Sequence, residues 1–519
     1  MKIAVLGAGA WGTALAVHAA RRHDVMLWSR NAQVLESLRT TGTNQRYLPD
    51  VKVPSSMGFT DRLDEAVRDA DLLVMATSVA GLEPVAQAVQ ALQPGDGSAL
   101  PGVVCLAKGL QASTGRLPHQ VLGDALPGRA VGCLSGPSFA QEVAAGLPVA
   151  LTAASMDEAL SHRMVQAFHH GAMRAYRSAD LVGVEIGGAL KNIMAVATGT
   201  CDGLGLGLNA RSALLTRGLA EITRFGMAQG AQAETFLGLA GVGDLVLTCT
   251  GDLSRNRRVG LLLAKGQSLA DILTTLGHVA EGVACCPAVV ARAPALGVDL
   301  PISRAVLAVI EGRLSPREAV AALLALCHDI VVTVGVYALS GFEVTPATII
   351  GVLTILGYSL YDTVVVFDKI RENTEGFEAQ SRSTYAELAN LAVNQTFIRS
   401  INTSVVGVLP VASLLVVGAF ILGAGTLRDI ALTLFIGMIA GTLSSIFLAT
   451  PLLVDLRSRE KPIKEQTAKV AAARRRQREE AGDDVEELAK IDAAPAASPV
   501  TPGHHLGVAA QPKRKKKRR

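Results

Sequence analysis

The sequence predicts an α/β domain joined to an all-α domain, then four transmembrane helices and a disordered basic tail. Three observations carry this prediction. The chain opens on a strand, a glycine turn and a helix (KIAVLGAGAWG, residues 2–12). Strand signals stop near Asp180, where long alanine- and leucine-rich helical patterns take over. Beyond Leu323 come four apolar segments that could not stay in water alone. The expected domains are residues 1–179, 180–322, 323–455 and 456–519.

In the first domain, residues 2–6 form a short apolar run ending in glycine, the pattern of a buried strand. Residues 11–22 read as a helix and residues 25–29 as a second strand. Residues 71–78 (DLLVMATS), 103–107 and 130–134 read as further strands, separated by helix-length segments. Strands alternating with helices predict a parallel sheet. From residue 180 to 323 the helical patterns break only at glycines (203–207, 241–243) and at Pro301, as expected of a second, all-helical domain.

Residues 322–342, 346–367, 401–422 and 430–454 each run about 20 residues or more, enough to cross ~30 Å of hydrocarbon. The links at 343–345 and 423–428 leave room only for turns. The polar segment 368–400 carries Lys369, Arg371, Arg382 and Arg399, so the positive-inside rule puts it and the tail in the cytoplasm. Four spans then leave both chain ends cytoplasmic, the arrangement of a multi-pass protein of the inner membrane. Beyond Glu460 the tail is charge-rich, then rich in Pro and Ala, and it closes on KRKKKRR. Disorder is expected there, with the basic groups solvated beside anionic membrane lipid.

Composition narrows the function. Mean hydropathy is +0.35. Glycine is abundant (51 residues) while aromatics are 4%, which suits glycine-turn α/β architecture joined to small-residue membrane helices. The formal charge is +4, but the segment 455–519 alone carries roughly +7, so the remainder is slightly acidic and nucleic acid is not an expected partner. Seven cysteines occur without a C-x-x-C spacing, and Cys285 and Cys286 are adjacent, so reduced thiols are expected, not a disulfide framework or a metal site. No signal peptide precedes the first strand, so the N-terminal half is expected to stay in the cytoplasm.

Gly7-x-Gly9-x-x-Gly12 lies between a strand and a helix, the pattern of a Rossmann-type dinucleotide-binding domain. Glycines permit the tight turn and the close approach of backbone, and the helix N-terminus faces a pyrophosphate. At the end of the second strand, where NAD-selective folds place a carboxylate, the chain has Ser29-Arg30-Asn31. Arg30 could hold a 2′-phosphate, which predicts that NADP(H) is accepted; a solvated arginine is the alternative. Lys191, within EIGGALKN, is the candidate proton donor for a carbonyl reduction. An unshifted lysine titrates near 10.4, so that role requires burial or positive neighbours. Composition alone makes it a surface lysine, but the apolar residues 186–190 argue for burial. Ser254-Arg255-Asn256 opens a helical stretch and offers hydroxyl, guanidinium and amide donors to a phosphate, or else forms an ordinary helix cap.

GAGAWGTALA, LAKGL, LSGPSFAQEV, EIGGALKNIMAVATG, NARSALLTRG, GLAGVGDLVLTCTGDLSRNRRVG and VAEGV together resemble bacterial NAD(P)-dependent glycerol-3-phosphate dehydrogenase, over about residues 1–322. The resemblance implies reversible reduction of dihydroxyacetone phosphate to sn-glycerol 3-phosphate for phospholipid synthesis, with NAD(H) or NADP(H). By it, Lys191 transfers the proton and Asp244 positions it. Lys108, Gly136 and Ser138 line the substrate, and Ser254, Arg255 and Asn256 grip its phosphate. Gly7, Gly9, Trp11, Gly12, Arg30, Lys108, Ala140, Arg255, Val279 and Glu281 surround the cofactor. Two departures are visible: Ala10 stands where many relatives carry serine, and Leu208 where many carry aspartate. A homodimer through the enzyme half is one assembly open to it.

In the membrane half Asp362 sits well inside the second apolar segment, and His328-Asp329 lies near the entry of the first. An acid within a spanning helix is a candidate for proton relay or for interhelical hydrogen bonding. HDIVVTVG, IGVLTILGYSLYDTVVVFDKIREN, TFIRSINTS and IGMIAGTLSSIFLATPLLV resemble the protein-export membrane protein SecF, over about residues 324–460. That resemblance implies SecD and the SecYEG channel as partners, and Asp362 with Arg399 as a proton relay. The family's first two spans and the domain between them have no counterpart, so four of six helices remain. Three readings follow: a membrane-tethered dehydrogenase, an export subunit with a replaced N-terminal half, and a joining of two genes that is an artefact.

Overall fold

The computed structural model describes residues 1–92, 101–276, 280–421 and 425–481. The chain divides into two compact units, Met1–Ala319 and Val320–Arg519.

The first unit is built on a sheet of eight strands. They are β1 (Lys2–Leu6), β2 (Asp24–Trp28), β3 (Gly58–Thr60), β4 (Leu72–Met75), β5 (Gly102–Cys105), β6 (Val131–Ser135), β7 (Val149–Ser155) and β8 (Met173–Ser178). Their order in the sheet is β8-β7-β6-β5-β4-β1-β2-β3. The sequence reverses direction across the sheet beside β1, which pairs in parallel with β2 (Leu6 opposite Trp28) and with β4 (Leu6 opposite Met75). In open α/β sheets such a switch point opens a crevice at the carboxyl ends of the strands.

Strand β1 is covered on both faces. Ile3 and Val5 join one apolar core and Ala4 and Leu6 the other, the two-sided burial that makes a parallel strand read as a continuous apolar run. One pairing departs from the expected parallel sheet, for β6 and β7 run antiparallel. Strands β3, β7 and β8 were not among the sequence expectations. The sheet-edge strand β8 (MRAYRS) is half exposed, so its alternating polar residues lack the run that marks the central strands.

Helix α1 (Ala10–Ala19) follows the glycine turn. Gly7 has φ +130, and a Cβ there would stand 2.5 Å from Ala76 O, so a side chain is excluded by both conformation and contact. Past the sheet the unit is helical. Its axis is α2 (Leu181–Gly203), whose N-cap Asp180 accepts from Gly183 N at 2.9 Å and also holds Gln232 N at 2.9 Å and Thr235 Oγ1 at 2.6 Å. Helices α3 (Asp244–Thr250), α4 (Arg255–Ala264) and α5 (Glu281–Arg292) pack against it. A Cβ at Gly199 would fall 2.0 Å from Arg257 O, so glycine lets α4 approach the α2 backbone. Glu221 is buried in the same domain. It accepts from Ile302 N at 2.5 Å and from Ser303 N at 3.2 Å, capping the helix Pro301–Ile310.

Helices joined by short loops make up the described residues of the second unit. Within or leading into it run α6 (Pro316–Ser340), α7 (Pro346–Asn373), α8 (Tyr385–Ser413, continued in π-helical turns to Ile421) and α9 (Gly425–Ser444, continued through Ser458). All four expected apolar segments fall on these helices. Among the described residues, Pro316–Ser340, Tyr385–Gly418 and Gly425–Ser458 are long and apolar enough to cross a membrane. Leu181–Gly203 also qualifies, but 89% of it is buried inside the fold, so α2 is a core helix. The polar segment 368–400 is less of a loop than composition suggested. α8 starts already at Tyr385 because Thr384 and Glu387 form a capping box.

The expectation of disorder beyond Glu460 is corrected for residues 461–481, which form helix α10 (Lys461–Ala481). Ile463, Gln466 and Val470 are buried along one stripe. Gln466 donates to Ser383 O at 2.7 Å, and Arg474 grips both carboxylate oxygens of Glu387 at 2.8 Å. Composition counted the charges but not their spacing, which keeps one face for packing. The basic end of the tail, from residue 482, lies outside the described residues.

Candidate active site

Lys191 lies in the middle of α2, after the buried apolar residues 186–190, and it is only 6% exposed. Its Nζ donates to Asp244 Oδ1 and, at 2.9 Å, to Thr248 Oγ1. Asp244 opens α3 and is 1% exposed. Its second oxygen accepts from Lys108 Nζ at 2.8 Å. Lys108 follows β5 and also donates to Gly136 O at 3.2 Å, just beyond β6. One carboxylate therefore joins two lysines at the carboxyl edge of the sheet, where strand ends meet α2 and α3.

Burial pushes Lys191 down to about 7, against the pull of Asp244 and with the help of Lys108. Burial alone would raise the Asp244 carboxyl, but Lys108 and Lys191 outweigh it and hold it below the usual range. A lysine near neutrality can both give and take a proton at physiological pH, the condition that the sequence placed on this residue.

The phosphate candidates sit at the start of α4. Ser254 is its N-cap, accepting from Arg257 N at 3.3 Å, and is 4% exposed. Asn256 donates to Asn192 Oδ1 at 3.0 Å and accepts from Gly282 N at 3.1 Å, which ties α4 to α2 and α5. Arg255 keeps an exposed side at the head of α4, and desolvation of the rest draws its guanidinium down while Glu281, at the head of α5, draws it back up. Burial raises Glu281 in turn, and a backbone hydrogen bond to Val79 and the charge of Arg255 oppose that.

Gly9 is the N-cap of α1, and a Cβ there meets nothing within 4 Å, so the glycine turn faces open space where Gly7 faces backbone. The first turn of α1 has no acidic residue and no side-chain cap, leaving its N–H groups for an anion. Trp11 Nε1 is buried without a partner among the described residues. This open cradle, free helix end and orphaned donor fit a dinucleotide pyrophosphate. Arg30 is exposed just past β2, Ser138 Oγ donates to Gly136 O at 3.0 Å, and Ala140 begins the helix Ala140–Ala145. Val279 lies outside the described residues.

Thr248 and Asn192 escaped the sequence reading. Thr248 stands four residues after Asp244 on one helix face, and Asn192 directly follows Lys191, but neither spacing is distinctive until the fold brings Thr248 to Lys191 and Asn192 to Asn256. In the second unit Asp362 is 6% exposed beside Ser400, while Arg399 is exposed. Neither Asp362 Oδ2 nor Ser400 Oγ completes a hydrogen bond among the described residues.

Three family models match the chain. Residues 2–161 match the N-terminus of NAD-dependent glycerol-3-phosphate dehydrogenase and residues 180–321 its C-terminus. Residues 300–459 match the C-terminal part of the protein export membrane proteins SecD/SecF. A glycerol-3-phosphate dehydrogenase (NAD(P)+) of Methylibium petroleiphilum is 55% identical over 328 residues, covering 62% of this chain and 96% of that protein. The enzyme of the same name from Dechloromonas aromatica is 54% identical over 326 residues, covering 63% and 98%. Among solved structures, the glycerol-3-phosphate dehydrogenase of Coxiella burnetii superposes with TM-score 0.60 at 37% identity, over 62% of this chain and 98% of that one. With its sheet, its glycine turn and its lysine–carboxylate centre in place, and with a SecD/SecF-type segment fused behind them, the chain belongs to the NAD(P)-dependent glycerol-3-phosphate dehydrogenase family.

Proposed function

We propose that the first unit reduces dihydroxyacetone phosphate to sn-glycerol 3-phosphate, and catalyses the reverse oxidation, with NAD(H) or NADP(H). The observation that carries this reading is the Lys108–Asp244–Lys191 bridge, with Lys191 brought to about 7 by burial. Gly7, Gly9, Gly12 and Trp11 hold the cofactor at the head of α1, with Arg30, Lys108, Ala140, Arg255, Val279 and Glu281 around it. When bound, the cofactor supplies or accepts a hydride at the substrate carbon.

In reduction, Lys191 gives its proton to the carbonyl oxygen as that oxygen becomes a hydroxyl. In oxidation, the neutral amine takes the proton back. Asp244 keeps Lys191 aimed and protonated, and Lys108 adds positive charge where the oxygen gains electron density. Ser254, Arg255 and Asn256 receive the phosphate at the N-terminus of α4, and Gly136 and Ser138 line the three-carbon chain. Lys191→Ala is expected to lower NADH oxidation driven by dihydroxyacetone phosphate by about a hundredfold to ten-thousandfold. Wild-type turnover in that variant would overturn the assignment.

The apolar helices of the second unit anchor this enzyme as a multi-pass protein of the inner membrane, with both chain ends cytoplasmic and the basic tail beside anionic lipid. Four long helices, each carrying one of the expected apolar segments, support this reading, three of them meeting the length and hydropathy of a span among the described residues, as does the SecD/SecF match. A single 53.9 kDa band in the membrane fraction is the expected immunoblot. Two separate polypeptides would overturn it.

A further inference from the structure

We propose that Glu185, through its bonds to His119, is a positioning residue that seats the segment carrying Lys108 on α2 and so fixes how close Lys108 stands to Lys191. This role rests on the reduction mechanism above, in which Glu185 and His119 take no part.

Glu185 lies six residues before Lys191 on α2, and its side chain is 1% exposed. Both carboxylate oxygens are engaged. Oε2 lies 2.6 Å from His119 Nδ1, and Oε1 accepts from His119 N at 2.9 Å. His119 belongs to the first turn of the helix Pro118–Ala125, where N–H groups have no partner within their own helix. Glu185 therefore caps that helix from α2.

The helix is the far end of a segment that begins at Lys108, and α2 holds the near end too. Asn192 Nδ2 donates to Lys108 O at 3.4 Å, and a Cβ at Gly188 would stand 3.4 Å from Lys108 Cγ. Glu185, Gly188 and Asn192 are spaced i, i+3 and i+7, which puts them on one face of a helix. That face is the seat of the segment, with Glu185 at one end and Asn192 at the other. Lys191 adjoins Asn192, and Asp244 bridges it to Lys108.

Burial raises the Glu185 carboxyl, and His119 opposes this. The Cys105 and Cys133 thiols are its other titratable neighbours. An apolar pair would fill the same space at less cost. What the carboxylate adds is a directional hold at two points. Burial is the largest influence lowering Lys191, and Lys108 adds to it while Asp244 opposes both. The Cys249 thiol on α3 also faces Lys191. If the seat slips, Lys108 recedes and Lys191 titrates higher.

The experiment follows the midpoint of Lys191 in the full chain, by competitive acetylation over a pH series read by mass spectrometry. It runs beside kcat and KM for dihydroxyacetone phosphate. Glu185→Leu combined with His119→Leu removes the hold and leaves no buried orphan charge. The pair is expected to move the midpoint up from about 7 and to lower kcat by on the order of tenfold to a hundredfold. His119→Ala, which spares the bond from His119 N, is expected to move both in the same direction by less. Glu185→Gln keeps an oxygen facing His119 N and is expected to retain most of kcat with the wild-type midpoint. A hold that served stability alone would lower the yield of folded chain and leave the midpoint in place. An unmoved midpoint in the leucine pair or in His119→Ala therefore overturns the proposal. So does a Glu185→Gln chain as impaired as the leucine pair. A wild-type chain that oxidises no NADH with dihydroxyacetone phosphate overturns the reduction instead, and the acetylation midpoints still decide the seat.

Discussion

Two buried carboxylates, Asp244 in the first unit and Asp362 in the apolar helices of the second, differ in how completely they are paired. Both oxygens of Asp244 are engaged, by Lys191 and Thr248 on one side and Lys108 on the other. Asp362 keeps one oxygen without a partner, beside a serine in the same state. A fully satisfied cluster fixes charge and geometry together, which is what proton transfer to a single substrate oxygen requires. A half-satisfied one leaves both less fixed.

The largest test of that contrast is Asp244→Asn. It leaves the buried Lys191 and the partly buried Lys108 without their counter-charge and is expected to cost about 3–5 kcal/mol of stability. In whatever protein survives, removal of the group that raises Lys191 moves the pH limb of catalysis below about 7, so reduction fades at lower pH than in wild type. Turnover against pH, with thermal melts on the same sample, measures both; an unmoved limb would detach Asp244 from Lys191.

Next in size is Glu221→Gln. Burial pushes this carboxyl up to about 7. A folded pKa above the unfolded 4.5 means stability that is full below pH 4.5 and is lost as pH rises through about 7. The loss is on the order of 3 kcal/mol. The glutamine variant should flatten this slope, seen as a melting temperature that changes less between acid and neutral pH.

Thr248→Val removes one hydrogen bond to Lys191 and should cost about 1 kcal/mol in transition-state stabilisation, or roughly fivefold in kcat/KM, with KM nearly constant. The smallest effect is expected from Asp362→Asn, which should leave dehydrogenase kcat and KM unchanged. A change there would mean that the two carboxylates communicate, and the contrast between a finished site and an unfinished one would have to be redrawn.

Legibility followed the same divide. Strands with unbroken apolar runs, such as β1 and β4, could be read directly, because burial on both faces leaves no polar interruption. Strand β8 could not, because an edge strand mixes arginine and tyrosine with its inward residues. Lys191 was marked by the apolar residues 186–190 before it, which argued for burial. Thr248 was not marked, because a threonine four residues from an aspartate is common and only the fold brings it to the lysine. Helix α10 was hidden by its charge content, since composition counts lysines and arginines but is blind to the stripe of Ile463, Gln466 and Val470.

Helix α2 meets the length and composition of a membrane span, yet it is the buried axis of the enzyme. On the ribosome it emerges before α6, so it is the first segment of the nascent chain that insertion machinery could accept as a stop. On the membrane anchoring proposed above, correct topology therefore depends on timing. The β1–β8 sheet and the helices around Lys191 must enclose α2 before α6 leaves the exit tunnel, and a variant slow to fold in that interval would be inserted one span too early.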